Sequence, residues 1–245
     1  MSIRVQHVVG TVAPLVLWLA IKFGFDISDR YLPGPESLVS AVADIGWPLF
    51  LHLGATVVRA ALGFGIGVSG GVAIALLAFR YRLLPVIMPT VNSLRAVPAL
   101  AAVPFFLLWF GFSELGKYLL VAMGLGLNVV VSSADVLERP REIDRLNFSN
   151  FGLPQERLIF AYWLPRVIEG MLPTLRFGLA LGLSLIVVSE MLGAQYGLGY
   201  LMQTSRATFS LNVLFLCALL LGILAVAGDA FLRNLWNSIV SWRVG

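Results

Sequence analysis

Six apolar runs, each close to the length of a bilayer-crossing helix, constrain this chain more than any other feature. A hydrocarbon core of ~30 Å takes about 20 helical residues at ~1.5 Å each. The runs fall near residues 8–25, 53–79, 84–110, 118–134, 168–194 and 211–232. Composition agrees. Of the residues 59% are hydrophobic and 12% charged, with a mean hydropathy of +0.90, whereas a soluble domain carries about 25% charged residues. So little polar surface cannot cover a water-soluble globule, and lipid must solvate much of it. The expected fold is all-α, a polytopic membrane protein of about six transmembrane helices, with residues 1–245 as one domain. The first run is long enough to span and has no small-x-small cleavage site before Asp26, so it reads as a retained helix rather than a signal peptide.

The net charge of +4 and the pI of about 9.6 do not point to nucleic acid. The basic residues are scattered between apolar runs without an aromatic-basic platform, as topology-setting charges are. With the N-terminus inside, Arg4, Arg80, Arg82, Arg139, Arg141, Arg145, Arg157, Arg166, Arg233 and Arg243 all fall on the inner side. The outer side then holds little beyond Lys22, Arg30, Lys117 and Arg206. This bias places both termini in the cytoplasm. Residues 35–45 carry Leu38, Val39, Val42 and Ile45 on one helical face, an amphipathic helix expected on the outer surface. Residues 137–165 are the longest and most charged connection, either a solvated connector or a docking surface for a soluble partner.

Several motifs lead nowhere. The stretch from Gly111 to Lys117 matches most of a phosphate-binding loop, but Tyr118 stands where a hydroxyl residue must hold Mg²⁺, and no α/β pattern surrounds it. It reads as a turn between spans, so if ATP drives this protein another chain must bind it. Asn147-Phe148-Ser149 is a glycosylation sequon by chance, since it lies in the inner loop. The single cysteine, Cys217, permits no intrachain disulfide, and His7 and His52 lack the carboxylate company a metal centre needs. No Ser/His/Asp set or paired carboxylates can be assembled, which argues against an intramembrane hydrolase and against catalytic or cofactor-binding residues in this chain.

Gly63, Gly67 and Gly71 line one face of the second run, and Gly178 and Gly182 recur likewise in the fifth. Such faces let helix backbones approach closely where lipid removes the hydrophobic drive. Pro85, Pro89, Pro98 and Pro104 crowd the third run. Each interior proline frees a carbonyl, so this span is either a wall of a translocation path or a kinked structural helix.

Ionisable residues within spans cost ~2.5–3.5 kcal/mol each at the bilayer centre and should face protein or water. Arg59, Arg95, Arg176 and Glu190 are such residues. Arg95 lies near mid-depth, and Glu190 sits near the outer end of the fifth span, where some solvation is expected. Arg176 and Glu190 are ~21 Å apart along a straight helix, so they cannot pair. Arg59 or Arg95 is the candidate partner of Glu190. These charges are either structural ion pairs or, for Arg95, an aid to anion passage. With Asn92 and Ser189 they make up the translocation-path candidates.

The loop and fifth run carry a resemblance. Gly152, Leu164 and Pro165 match the Gly and Leu-Pro positions of a loop motif whose Glu-Ala-Ala opening is here Leu146, Asn147 and Phe148. Leu32-Pro33-Gly34-Pro35, Trp109-Phe110-Gly111, Val188-Ser189-Glu190-Met191-Leu192-Gly193-Ala194 and Gly197-Leu198-Gly199-Tyr200-Leu201 add further matches over residues 31–243. On these the chain resembles permeases of the binding-protein-dependent ABC importers, in the branch serving nitrate, taurine and alkanesulfonates. The resemblance implies an inner-membrane subunit with a short cytoplasmic coupling helix around Arg145–Arg157, within the 137–165 loop. Arg145, Leu146, Asn147, Phe148, Gly152, Glu156, Arg157, Leu164 and Pro165 would be its ATPase-coupling residues. The implied partners are a cytoplasmic ABC ATPase dimer that binds ATP and Mg, a second permease copy forming a homodimer, and an extracytoplasmic solute-binding protein. Membrane lipid surrounds the assembly and no nucleic acid is involved. A stand-alone secondary transporter or channel, or a membrane scaffold, are the alternatives.

Overall fold

The computed structural model describes residues 3–139 and 158–239, with side chains from residue 13 onward. Every regular element among them is helical. In chain order they are α1 (Ile3–Gly24), α2 (Pro35–Ile45), α3 (Pro48–Arg80), α4 (Leu84–Ala96), a 3₁₀ turn (Ala99–Ala102), α5 (Val103–Phe110) and α6 (Glu114–Glu138). A π-helical turn (Ile159–Trp163) then leads into α7 (Leu164–Gly170), α8 (Leu172–Gly193), α9 (Leu198–Ala207) and α10 (Leu211–Ile239).

Four helices, α3, α6, α8 and α10, are long and apolar enough to cross a membrane. The third run is not one helix: α4 and the segment 99–110 meet at 84° as a broken span. Pro98 is the cause, because a proline disfavours helical backbone in the residue before it, and Val97 is extended at φ −72°, ψ 125°. Pro89 stays inside α4, where Ser93 Oγ donates to its carbonyl. The fifth run also divides, into α7 and α8, and α1 supplies a sixth apolar helix of 22 residues.

Glycine packing sets the centre of the bundle. Helices α3 and α6 run parallel, with Gly63 over Val121, Gly67 over Ala122 and Gly71 over Gly126 and Val129. Helix α8 runs antiparallel to both, laying Gly178 on Leu125 and Gly182 on Val121, and α10 returns along α8 with Gly228 on Leu179. Buried clusters fill the space between. One gathers Ala75, Val129, Leu137, Trp163 and Val167, and the other gathers Val103, Leu120, Leu185 and Ile186.

The amphipathic helix forms as expected, and only part of its apolar face packs against protein. Leu38 and Ala41 pack against Leu49 and Leu216, while Val39 is 70% exposed and Val42 is also exposed. The small Ala41 admits the close approach of α10, so the helix turns that side inward rather than its valines. The Gly111–Lys117 stretch is the turn into α6, where Ser113 caps the helix by accepting from Gly116 N–H.

Candidate functional site

Two polar constellations stand out among the described residues, and they differ in whether space opens onto them. The first is closed. His52, Thr56 and Arg59 follow one another at helical spacing on a buried face of α3. Arg59 Nη1 donates to Glu190 Oε1 at 2.8 Å and to the Tyr196 carbonyl at 2.6 Å. Its Nε and Nη2 reach the Glu114 carboxylate at 2.6 and 2.8 Å. Lys117, also buried, donates to Glu114 at 2.9 Å. The guanidinium fork thus joins α3, α6 and α8 through two carboxylates, a geometry that a lysine ammonium cannot reproduce.

The same cluster fixes the start of α9. Glu190 Oε2 accepts from Gly199 N–H at 3.0 Å, Thr56 Oγ1 accepts from Leu198 N–H at 2.8 Å, and His52 Nδ1 accepts from Gly197 N–H at 3.1 Å. These are amides that a helix start leaves without intrahelical partners, and side chains on other helices satisfy them. Gly197 holds φ 126°, a conformation that favours glycine. Glu190 is therefore 0% exposed rather than partly solvated, because α9 folds back over it. Of its two candidate partners it takes Arg59 and not Arg95. Ser189 is buried too, donates to the Ile186 carbonyl, and borders a pocket of about 10 Å³, too small for a solute.

The second constellation is open. Arg95 lies at the end of α4, beside the break, and borders two adjoining cavities of about 350 and 330 Å³ that share Asn128 and Phe177. Leu94, Pro98 and Leu127 line the first; Ser132, Asp135 and Thr174 line the second. Arg95 is exposed to this space and makes no hydrogen bond or ion pair with any described residue. The neighbouring Asn92 is exposed on α4 but outside both linings. Arg176 belongs elsewhere: it pairs with Asp229 of α10, which Arg233 also approaches at 2.9 Å, fastening α8 to α10.

The site candidates thus separate into fasteners (Arg59, Arg176, Glu190) and a cavity-facing group (Arg95). Sequence reasoning did not single out His52, Thr56, Glu114 or Lys117 for the first constellation, nor Asn128, Ser132, Asp135, Thr174 or Phe177 for the second. The spacing of His52, Thr56 and Arg59 on one helical face was the available signal for the first. Of the residues expected to couple to an ATPase, Leu164 and Pro165 open α7, with the proline in its first turn. Arg145, Leu146, Asn147, Phe148, Gly152, Glu156 and Arg157 lie outside the described residues.

Residues 63–240 match the family described as the binding-protein-dependent transport system inner membrane component. SsuC of Escherichia coli, named for aliphatic sulfonates transport, is 32% identical over 93% of this chain and 88% of its own length. SsuC of Bacillus subtilis is 30% identical over 94% of this chain and 84% of its own. TauC of Escherichia coli, the taurine transport system permease protein, is 25% identical over 99% and 92% respectively. Among solved structures, an inward-facing MetNI methionine ABC transporter chain shares the fold with a TM-score of 0.61, at 17% identity over 78% of this chain and 97% of that one. The family match and the similarity to these relatives show that the chain belongs to the binding-protein-dependent transport system inner membrane components, the multi-pass permeases of ABC transporters.

Proposed function

We propose that this permease serves an ATP-driven importer of a small anionic solute and that the Arg95 cavities line its path. In this reading two copies of the chain form the passage, and both termini face the cytoplasm. A separate cytoplasmic ATPase dimer binds ATP and Mg, and an extracytoplasmic binding protein delivers the solute. Arg95 carries the proposal. A guanidinium within a span is costly unless protein, water or solute compensates it, and Arg95 forms no ion pair with a described residue, although the Asp135 carboxylate borders the same space. Its planar fork suits a sulfonate or carboxylate, which it can bind through two parallel hydrogen bonds. Asn128, Ser132 and Thr174 add neutral hydrogen-bonding groups along the same space. That two relatives carry names for sulfonate and taurine transport supports an anionic cargo.

The test is uptake of a radiolabelled alkanesulfonate by proteoliposomes holding the permease with its ATPase and binding protein. Arg95→Ala should lower uptake by roughly tenfold or more, the scale of one lost charge-assisted contact, while the complex still assembles. Arg95→Lys should recover part of it. Unchanged uptake in Arg95→Ala removes the role assigned to this residue, and uptake driven by an ion gradient without any ATPase removes the importer reading.

A further inference from the structure

A third polar recess lies away from the core, at the end of the bundle where α1 stops and α10 begins. It measures about 630 Å³ and is lined by Arg30, Ser37, Arg206, Ser210 and Asn212 on its polar side, and by Phe209, Leu211 and Leu214 on its apolar side. Neither Arg30 nor Arg206 has a side-chain hydrogen bond or ion pair with the described residues, and both are exposed. Asp29 also borders the recess, but its carboxylate is committed: it pairs with Lys22 and accepts from Gly34 N–H at 3.2 Å. That hydrogen bond from Lys22 holds the Asp29 carboxyl below its usual range, so it stays ionised and internally neutralised. The recess is left with two uncompensated cations.

The apolar side is held in place at a cost. Phe209 adopts φ 56°, a left-handed conformation unfavourable for a bulky residue, and it is 91% exposed. The turn that imposes this is well bonded: Ser210 N–H donates to the Ser205 carbonyl at 2.8 Å, Thr208 N–H to the Thr204 carbonyl at 3.1 Å, and the Thr208 and Ser210 hydroxyls meet at 2.9 Å. No interior packing of the phenyl ring offsets the strain. The segment that carries Asp29 and Arg30 is also fastened, with Trp18 Nε1 donating to the Pro33 carbonyl and Lys22 Nζ to that of Ile27.

Height identifies what meets these groups. Gly24 ends one apolar helix and Leu211 begins another, so the recess lies at the level of a membrane–water interface. Lining that passes from guanidinium and hydroxyl to phenyl and leucine over one recess reproduces the polarity gradient of a phospholipid, from headgroup to acyl chain. Guanidinium groups bind phosphate oxygens through charge-assisted, often bidentate hydrogen bonds, and exposed aromatics at this level sit among headgroups. We infer that this recess binds an anionic phospholipid, its phosphate between Arg30 and Arg206 and an acyl chain along Phe209, Leu211 and Leu214.

The experiment compares the purified full-length chain with the double variant Arg30→Gln/Arg206→Gln, both solvent-exposed substitutions that leave the core intact. Each is placed in nanodiscs of phosphatidylcholine alone or with phosphatidylglycerol, and thermal unfolding and lipid retained after delipidation are measured. The wild type should retain phosphatidylglycerol and unfold at higher temperature in its presence. The variant should retain roughly tenfold less, two interfacial cations having been removed, with an unchanged transition in phosphatidylcholine. Arg82→Gln, at an exposed arginine near the opposite end, should behave as wild type. Equal retention by the double variant overturns the inference. Stabilisation of the wild type by inorganic phosphate to the same degree also overturns it, in favour of a free-anion site. If retention is unchanged while stimulation by an extracytoplasmic binding protein is lost, the recess is a protein-docking surface instead.

Discussion

Arg59 and Arg176 share a side chain and a location within spans, yet their surroundings assign them different weights. Arg59 is almost fully buried and bridges Glu190, which has no exposed surface, to Glu114. Removing one partner of such a pair leaves an uncompensated charge in low dielectric and costs about 3–5 kcal/mol. Arg59→Met should therefore lower the unfolding temperature of the detergent-solubilised protein sharply. Adding Glu190→Gln should recover part of the loss, because the stranded carboxylate is then neutral; a double variant as unstable as the sum of the singles would show that the pair is not coupled. Arg176→Ala should change unfolding little, since that arginine is half-exposed and Asp229 keeps Arg233. At this scale the sequence made Arg59 a candidate partner for Glu190 through charge and depth alone. It left the burial of Glu190 unseen, because that depends on α9 returning over the carboxylate. The neutral groups His52 and Thr56 gave no electrostatic signal, although they complete the same network.

Among the helices, small residues decide which faces meet. A Cβ at Gly71 would stand 2.8 Å from the Gly126 carbonyl oxygen and 2.8 Å from Val129, so backbone itself would have to shift. Nothing lies within 4 Å of the corresponding position at Gly65 or Gly70 on other sides of the same helix. Gly71→Ala should destabilise by about 1–3 kcal/mol through overpacking. Gly65→Ala and Gly70→Ala should be neutral or slightly stabilising, alanine being the better helix former. Equal effects at all three positions, read by thermal unfolding, would show that the α3–α6 contact is not held by close backbone approach. The glycine stripe was legible because its spacing is a property of one helix. The 84° break was legible only as proline crowding, since four prolines do not say which of them breaks the helix; Pro98 does so where Pro89 does not. Which part of the apolar face of α2 meets protein was not legible, for a related reason. Leu38 and Val39 are equally apolar, and the preference for Ala41 comes from the shape of α10, which the helix's own sequence does not contain.

Across the whole molecule the fasteners and the open cavity are segregated. The Arg59–Glu190 network ties α3, α6, α8 and α9 at one end, Arg176–Asp229 ties α8 to α10, and Arg95 stands by the break between them, unpaired among the described residues. A bundle held by the buried Arg59–Glu190 network and the close-packed glycine faces transmits displacement as a body, since packed cores shift between discrete arrangements rather than deform smoothly. If ATP-driven motion enters through residues 137–165, it reaches the bundle at Leu164 and Pro165, where α7 begins and where Val167 and Trp163 join the buried cluster containing Leu137 and Val129. Gly152, the glycine matched to the coupling loop, then becomes the test of that entry point. Gly152→Asp adds a side chain and a charge where close docking against the ATPase is expected. It should reduce ATP-dependent uptake in proteoliposomes to background, while thermal unfolding of the isolated permease stays unchanged if the glycine serves coupling alone. Co-purification of the ATPase should fall in parallel. Full transport by Gly152→Asp would mean that the motor engages the permease elsewhere, and a drop in the unfolding temperature would mean that the glycine serves the fold rather than the coupling.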